Sequence, residues 1–301
     1  MKKDFLTVLD LSSDELNGLI TRSIELKSGV DANKCPLLGK SIGLLFEKSS
    51  TRTRVSLEVG VYQLGGQSIY MNPKEIQIGR GETIHDSAKV LSRYLNGIII
   101  RTYSHNTLTE FASYASIPVV NGLSDLHHPC QALADLMTVY EKKGKLKGLR
   151  LAFIGDGNNV AHSLIEAASL TGMHIILACP KGYEPDPDVL EKARTSSSGQ
   201  ITVIREPAEA AANADVVYTD VWVSMGQEKD ASRKKRKFKK YQINGELLSH
   251  AKKDALVLHC MPAHRGEEIT DEVMDSPQSA VFDQAENRLH TQKALLEFLL
   301  T

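Results

Sequence analysis

Residues 42–54 read IGLLFEKSSTRTR, an apolar run followed by a polar turn and the start of a helix-like pattern. The run Ile42–Phe46 contains no polar side chain, which is typical of a strand buried in a parallel sheet. After the turn, Val55, Val59 and Tyr62 repeat at helical spacing. A helix N-terminus offers unpaired N–H groups and a positive dipole end, and arginine side chains match phosphate oxygens. The stretch therefore predicts a strand, a turn and a helix that together bind an anion.

The alternation of apolar runs and amphipathic segments continues along the whole chain. An N-terminal helix is predicted after the capping-box pattern Ser12-x-x-Glu15, and a closing helix over Glu286–Leu299. Strands that alternate with helices predict an α/β fold of two doubly wound domains, each a mainly parallel sheet flanked by helices. We predict strands at Ile42–Phe46, Ser68–Met71, Ile98–Ile100, Pro118–Val120, Leu151–Ile154, Ile175–Ala178, Ile201–Ile204, Val216–Tyr218, Ala255–Leu258 and Ala280–Phe282.

Length and spacing predict where the domains end. The chain has 301 residues, about twice the usual length of one domain. A polar segment with two glycines, residues 141–148, lies near the middle of the chain between a helix-like and a strand-like segment. We therefore expect one domain over residues 1–143, a second over residues 144–285 and a last helix over residues 286–301.

Composition excludes several classes of protein. With 36 basic and 37 acidic side chains, the net charge is -1, so no overall field attracts nucleic acid. The four cysteines lack the C-x-x-C spacing of zinc sites, which favours reduced thiols and a cytoplasmic protein without a metal. No apolar stretch approaches the roughly 18 residues of a membrane-spanning helix. We expect no binding to nucleic acid or membrane.

Polar residues follow several predicted strands, where parallel α/β sheets bind their ligands. Arg101 ends one strand, and the segment Gly155–Asn159 follows another. Asp220 and the pair His259–Cys260 follow two more strands in the second half. Any one of them could be a solvated strand end, but together they favour a ligand site.

A second helix start carries polar side chains at residues 128–131, which read HPCQ. Proline suits the first helical position, so His128 lies near the cap of the helix. His128 and Gln131 could then face a ligand carbonyl and amide, although a histidine that only caps the helix remains an alternative. Cys130 is interpreted as a packing residue.

Four motifs carry a resemblance to a known family. Residues 50–54 (STRTR) and 128–131 (HPCQ) resemble the carbamoyl-phosphate signature of the aspartate/ornithine carbamoyltransferase family. Residues 220–226 (DVWVSMG) and 259–262 (HCMP) are similar to the D-x-x-x-S-M-G and H-C-L-P motifs of its ornithine branch. Met261 stands where leucine is usual, a substitution that conserves volume. The resemblance covers essentially the whole chain.

The resemblance implies roles for particular residues. Arg101, His128 and Cys260 are expected to be catalytic. Carbamoyl phosphate would be bound in the first domain by Ser50, Thr51, Arg52, Thr53, Gln77, Arg101, His128, Gln131 and Arg288. Ornithine would be bound in the second domain by Asn159, Asp220, Ser224, Met225, Cys260 and Met261.

The resemblance also implies the reaction and the assembly. The ornithine side-chain amine would attack the carbamoyl carbon and expel phosphate through a tetrahedral intermediate, giving citrulline without a cofactor or metal. Arginine biosynthesis is the expected direction. The last helix would pack on the first domain. The subunit would form a homotrimer or a multiple of trimers, in which a neighbouring subunit completes the phosphate site in some members.

Three alternatives remain open on the sequence. The segment Gly155–Val160 partly matches a dinucleotide fingerprint, which favours a dehydrogenase, but its third glycine is replaced by valine. The basic run Arg233–Lys240 could bind a nucleic acid or a partner protein, although such a run is more often a solvated face that here flanks a loop. N-Acetylornithine, putrescine and aspartate are alternative amine acceptors.

Overall fold

The chain divides into two compact units. The structure is a computed structural model that describes residues 2–31, 33–73, 81–195, 199–223 and 231–301. The first unit comprises Met1–Met137 and Glu286–Thr301, and the second comprises Thr138–Ala285. The C-terminal residues therefore make their contacts with the N-terminal part of the chain.

Helices and parallel strands alternate within both units, as the sequence predicts. The strands are β1 (Ser41–Phe46), β2 (Gln67–Met71), β3 (Gly97–Arg101), β4 (Val119–Leu123), β5 (Arg150–Ile154), β6 (His174–Ala178), β7 (Ile201–Ile204), β8 (Val216–Thr219) and β9 (Leu256–His259). The longer helices are α1 (Ser13–Lys27), α2 (Thr51–Gln63), α3 (Ile84–Tyr94), α4 (His105–Tyr114), α5 (Pro129–Lys143), α6 (Asn159–Thr171), α7 (Pro187–Thr195), α9 (Ala231–Phe238) and α12 (Val281–Leu300). The shorter helices are α8 (Pro207–Ala211), α10 (Gly245–Leu248) and α11 (Asp271–Met274).

The sheet of the first unit is parallel, with the strand order β2-β1-β3-β4. Strands β1 and β3 are in register, so that Phe46 lies opposite Arg101. The backbone N–H of Glu47 donates to the carbonyl of Arg101 at 2.8 Å. The turn that leads into α2 therefore begins beside Arg101, at the carboxyl edge of the sheet.

The sheet of the second unit is also parallel, with the order β7-β6-β5-β8-β9. Thr219 at the end of β8 lies opposite His259 at the end of β9. The segments that follow β5, β8 and β9 consequently leave the sheet at one edge. This common edge brings the polar residues after three separate strands near one another.

Each unit has its own apolar core. In the first unit, side chains of β3 such as Ile98 and Ile100 pack with Leu108 and Phe111 of α4. In the second unit, the core joins Val217 of β8 with residues of α10, α11 and the loops around them. No helix within the described residues is long and apolar enough to cross a membrane.

The N-terminal helix confirms its predicted cap. Ser12 Oγ accepts from the Glu15 backbone N–H at 3.2 Å, and Glu15 Oε2 accepts from the Ser12 backbone N–H at 2.8 Å. The pair satisfies two backbone donors that the first turn cannot satisfy internally. The closing helix begins earlier than predicted, at Val281.

The strand predicted at Ala280–Phe282 is wrong, because α12 begins there. Just before it, one isolated bridge joins Ser279 to Val257 of β9. The Ala280 backbone N–H donates to the Val257 carbonyl at 3.0 Å, and the chain then turns into the helix. A short apolar run has the same sequence pattern in a buried helix start as in a strand, so periodicity could not separate the two.

Candidate active site

Helix α2 begins at a cap made by Ser50. Ser50 Oγ accepts from the Thr53 backbone N–H at 3.3 Å, and the Ser50 hydroxyl lies 3.0 Å from Thr53 Oγ1. Thr53 is buried, whereas Thr51 is exposed and Arg52 is half-buried. This first turn has no acidic side chain, so its N–H groups and positive dipole end remain suited to an anion.

A buried arginine from the C-terminal helix joins this turn. Arg288 of α12 donates through Nη2 to Thr53 Oγ1 at 2.8 Å and through Nη1 to Gln131 Oε1 at 2.9 Å. The amide of Gln131 donates in turn to Asp135 Oδ1 at 2.8 Å. One guanidinium therefore ties together residues from α2, α5 and α12, all within the first unit.

Arg101 and His128 complete this part of the first unit. Both side chains are buried, Arg101 at the end of β3 and His128 directly before α5. Burial lowers the pKa of His128 well below its ordinary value of 6.5, and the cations Arg288 and Arg101 lower it further. The imidazole is therefore neutral at pH 7 and can donate only one hydrogen bond. We call Ser50, Thr53, Arg101, His128, Gln131 and Arg288 the Arg288 cluster.

Other residues of the two first-unit motifs lie outside this cluster. Arg54 donates to Glu58 at 2.9 Å, and its guanidinium lies 3.6 Å from the ring centre of Tyr70. The exposed Arg54 therefore interacts with side chains of α2 and β2. Burial raises the pKa of Cys130 to about 12. This agrees with the interpretation of Cys130 as a packing residue. The predicted ligand Gln77 lies outside the described residues.

Asp220 is the centre of a hydrogen-bond network in the second unit. Its Oδ2 accepts from Asn158 Nδ2 at 2.6 Å, while its Oδ1 accepts from the Val221 backbone N–H at 2.7 Å and from Cys260 Sγ at 2.8 Å. Three donors thus engage both oxygens of the buried Asp220 carboxylate. The network joins the segments that follow β5, β8 and β9.

Asn158 belongs to this network, whereas the sequence analysis named only its neighbour Asn159 as a binding residue. Asn158 caps α6 by accepting from the backbone N–H groups of Val160 and Ala161, and its amide nitrogen reaches Asp220. Asn159 is the first residue of α6. The signal was available in the sequence, because asparagine before a helix pattern is a favoured cap and its side chain is then held at the strand edge.

The turn after β9 is held by a buried histidine. His259 Nδ1 accepts from the Met261 backbone N–H at 2.9 Å, and His259 Nε2 lies 3.1 Å from Glu268 Oε1. Met261 has a φ of 56°, a left-handed conformation that is costly for a side chain with a Cβ. The hydrogen bond to His259 offsets part of that cost and holds Cys260 beside Asp220.

One cation of the basic run is buried, whereas the sequence favoured a solvated face for this run. Lys234 of α9 places Nζ 2.5 Å from Asp156 Oδ2, and the side chains are 5% and 11% exposed. Lys235 beside it is exposed and pairs with Glu267 at 2.5 Å. We call Asp156, Asn158, Asp220, Lys234 and Cys260 the Asp220 cluster. Ser224 and Met225, predicted to bind ornithine, lie outside the described residues.

The glycine-containing turn after β5 does not have the role that a dinucleotide fingerprint requires. A Cβ on Gly157 would lie 2.3 Å from the backbone nitrogen of Pro185, and the Gly157 N–H donates to the Tyr183 carbonyl at 2.9 Å. Glycine is thus needed here for packing against the segment after β6. In a dinucleotide site the corresponding glycine lets the backbone approach a pyrophosphate.

Asp220, His259 and Cys260 also have the side chains of a metal site, with ligand atoms that all lie within 4.8 Å of one another. Hydrogen bonds within the protein already engage these atoms: Cys260 donates to Asp220, and His259 bonds to Met261 and Glu268. These bonds account for the grouping without an ion.

Comparisons with known proteins agree with both parts of the chain. Residues 3–141 match the family model described as the carbamoyl-P binding domain of aspartate/ornithine carbamoyltransferase. Residues 147–299 match the model for its Asp/Orn binding domain. The chain belongs to the aspartate/ornithine carbamoyltransferase family. It is therefore an enzyme of the carbamoyltransferase class.

Individual relatives of this carbamoyltransferase match along their whole length. It is 53% identical over 302 residues to the ornithine carbamoyltransferase of Syntrophus aciditrophicus (strain SB), with 100% of both chains covered. It is 55% identical over 306 residues to that of Methanocorpusculum labreanum, covering 100% of this chain and 99% of the relative. The ornithine carbamoyltransferase structure from Pyrococcus furiosus is similar with a TM-score of 0.95 and 47% identity, covering 99% of this chain and 97% of that one.

Proposed function

We propose that this carbamoyltransferase converts carbamoyl phosphate and L-ornithine into L-citrulline and phosphate. The observation that carries the choice of ornithine is the Asp220 cluster, in which a buried carboxylate accepts hydrogen bonds from Asn158, Cys260 and the backbone of Val221. A buried carboxylate of this kind suits the α-ammonium group of an amino acid. The full-length relatives named ornithine carbamoyltransferase support the same choice.

For the phosphate group, we propose the first turn of α2 and the buried Arg101 as ligands. Ser50, Thr51, Arg52 and Thr53 offer hydroxyls, N–H groups and a guanidinium at a helix start without an acidic side chain. Arg101 adds a second guanidinium from the end of β3. Gln77 belongs to this proposal by resemblance alone.

For the carbamoyl group, we propose that Arg101, His128 and Thr53 donate to the carbonyl oxygen. Negative charge develops on that oxygen as the tetrahedral intermediate forms, and donors that are already in place stabilise it. Because His128 is neutral, it would donate a hydrogen bond to the carbonyl oxygen without adding a positive charge to those of the arginines. Gln131 and Arg288, which are joined at 2.9 Å, would orient the carbamoyl amide.

For ornithine, we propose that Asp220 pairs with the α-ammonium and that Asn159, Ser224, Met225, Cys260 and Met261 contact the rest of the molecule. The neutral side-chain amine forms a bond to the carbamoyl carbon, the carbon–oxygen bond to phosphate breaks, and the proton lost by the amine leaves with the phosphate or solvent. An alkyl ammonium has a pKa of about 10.4, so the enzyme has to bind the amine without its proton. We expect activity to increase towards alkaline pH.

The other amine acceptors fit this site less well. N-Acetylation removes the cation that Asp220 would pair with, and putrescine has no α-carboxylate. Aspartate would need additional cations, whereas the Asp220 cluster contains two carboxylates and one lysine. Ornithine is the acceptor that matches these charges.

We propose a homotrimer, or a multiple of trimers, as the working assembly. On α2 and β2, the side chains of Val55, Tyr62 and Ile69 are 53%, 80% and 40% exposed. Val55 and Tyr62 belong to the apolar repeat from which α2 was predicted, so the helix turns part of that repeat outward. Val55 and Tyr62 are seven residues apart and so share one face of α2, and exposed apolar side chains on one face are typical of protein interfaces.

We further propose arginine biosynthesis in the cytoplasm as the setting. The structure of the anabolic ornithine carbamoyltransferase from Campylobacter jejuni is similar, with a TM-score of 0.94 and 39% identity over 99% of this chain and 98% of that one. All four cysteines are free thiols, which suits a reducing compartment. Restoration of growth without arginine in a bacterial strain that lacks this activity tests the direction.

Citrulline formation by the purified protein tests the reaction. The protein is given carbamoyl phosphate with ornithine and, in parallel, with N-acetylornithine, putrescine or aspartate. We expect turnover that is selective for ornithine. Preference for another amine would overturn the assignment of Asp220, and the absence of turnover with every acceptor would overturn the proposed function.

A further inference from the structure

The buried cation Lys234 is not among the residues proposed to contact either substrate. It lies in the basic run Arg233–Lys240, yet its ammonium group points inward, 2.5 Å from Asp156 Oδ2. The rings of Tyr183 and Phe238 lie 5.3 and 5.6 Å from Nζ. Burying a lysine is unfavourable unless the charge is paired, so this ion pair needs an explanation beyond solubility.

Asp156 lies next to the carboxylate that is proposed to bind ornithine. Both residues follow neighbouring strands, β5 and β8, and Asn158 in the Asp156 loop donates to Asp220. Burial raises the pKa of Asp156, the Lys234 cation opposes that increase, and the Asp220 charge adds to it. The two carboxylates therefore influence each other electrostatically.

The described charges of the Asp220 cluster add up to one negative charge. Asp156 and Asp220 supply two carboxylates, and Lys234 supplies one ammonium group. In a buried setting, charges interact more strongly than in water because the effective dielectric constant is lower. The balance between these three groups therefore affects any cation that binds at this edge of the sheet.

We propose that Lys234 is a positioning residue that sets the protonation state of bound ornithine by cancelling the charge of Asp156. One negative charge, that of Asp220, then remains for the α-ammonium, and the side-chain amine binds without its proton. This inference rests on the proposed reaction with ornithine.

The physical reason is the effect of nearby charge on an ammonium group. A second uncompensated carboxylate would favour ornithine with both amines protonated, because a negative charge raises the pKa of a nearby ammonium. The protonated side-chain amine has no lone pair to attack the carbamoyl carbon. Lys234 thus favours the reactive form of the substrate without contacting the reacting atoms.

Several other titratable groups surround this ion pair and are kept unchanged in the test. Cys179, after β6, has a pKa that burial and the charge of Asp156 raise to about 12. Tyr183 and Lys237 lie on the outer side, where Lys237 Nζ is 5.1 Å from the centre of the Tyr183 ring. Cys260 contacts Asp220 from the other side.

The test is the pH dependence of kcat at saturating ornithine and carbamoyl phosphate. In Lys234→Met, the acidic limb should move to higher pH by about one unit, a tenfold loss of rate at a fixed pH on that limb. Asp156→Asn, which leaves the cation uncompensated, should move the limb to lower pH. The double variant, which removes both charges, should return it to the wild-type position.

Two further variants serve as controls. Lys235→Met removes the neighbouring, exposed cation of the same helix and should leave the limb in place. Lys234→Arg keeps the charge and should leave the acidic limb at its wild-type pH, whatever its effect on kcat. Thermal unfolding of every variant measures its stability. A loss of stability would lower kcat, but it would not shift the acidic limb upward in Lys234→Met and downward in Asp156→Asn.

The inference is overturned if the two single variants shift the limb in the same direction or leave it unmoved, or if the double variant does not restore it. If Lys234→Met does not fold, the Asp156→Asn shift and its reversal in the double variant decide the question. Failure of the proposed function is distinguishable, because the wild-type protein would then form no citrulline from ornithine.

Discussion

The Arg288 cluster in the first unit and the Asp220 cluster in the second are both buried polar sites at the carboxyl edge of a parallel sheet, but their charges differ. The first contains the buried cations Arg101 and Arg288 and a neutral His128. The second contains two carboxylates and one lysine. The cationic cluster suits a phosphate dianion, and the anionic cluster suits an ammonium group. The two units thus have the same kind of parallel sheet but place opposite charges at its carboxyl edge.

The strongest test of this contrast is Arg101→Met in the first unit. Loss of a buried donor to the developing oxyanion should lower kcat by about 10³-fold. Steady-state assays with saturating substrates measure the effect. Arg22→Met is the matched control, since Arg22 is an arginine of the first unit that pairs with Glu297 at 2.8 Å outside the cluster. Wild-type turnover by Arg101→Met would remove this residue from the catalytic proposal.

Asp220→Asn tests the anionic cluster and should have a smaller effect. Loss of a charge-assisted bond to the α-ammonium should raise KM for ornithine by about 10²-fold, because such a bond contributes about 1.5–3 kcal/mol. KM for carbamoyl phosphate should change little. Asp215→Asn is the control, because Asp215 is a buried carboxylate beside the opposite end of β8, 2.9 Å from the Arg150 backbone nitrogen. Equal effects of both variants would contradict a specific role for Asp220.

The neutral state of His128 predicts an acid sensitivity that originates in the first unit. Its folded-state pKa lies below the ordinary 6.5, so the unfolded chain binds the proton more readily. Above about pH 6.5, His128 is neutral in both states and does not lower the free energy of unfolding. Below that pH, the free energy of unfolding decreases as the pH falls towards the folded-state pKa, by up to about 1.4 kcal/mol per pH unit. Urea unfolding between pH 7.5 and about 5 measures this decrease.

His128→Asn should reduce that decrease, whereas substitution of the exposed His85 by asparagine should not. An unchanged pH dependence in His128→Asn would show that the pKa of His128 is the same in the folded and the unfolded protein. His128 would then become a third cation of the first unit below about pH 6.5, which would sharpen its contrast with the second unit.

Sequence patterns predicted most of the strands, because their apolar runs were long enough to be distinguished from the neighbouring helical patterns. They failed at Ala280–Phe282, where three apolar residues start a helix. Residues selected at strand ends, such as Asp220 and Cys260, do lie together, because parallel strands expose their carboxyl ends at one edge. The sequence did not single out Asn158 from its neighbour Asn159, and only the structure shows that Asn158 contacts Asp220.

By itself, the sequence determined the α/β class, the helix start at residues 50–54 and the family, since these depend on local patterns and short motifs. Only the tertiary structure decided which charges neutralise one another. Arg288 is far from Thr53 in sequence but donates to it at 2.8 Å, and Lys234 differs from Lys235 only in the direction of its side chain. The physical reason is that electrostatic interactions depend on distance and burial, which the fold sets and the order of residues does not reveal.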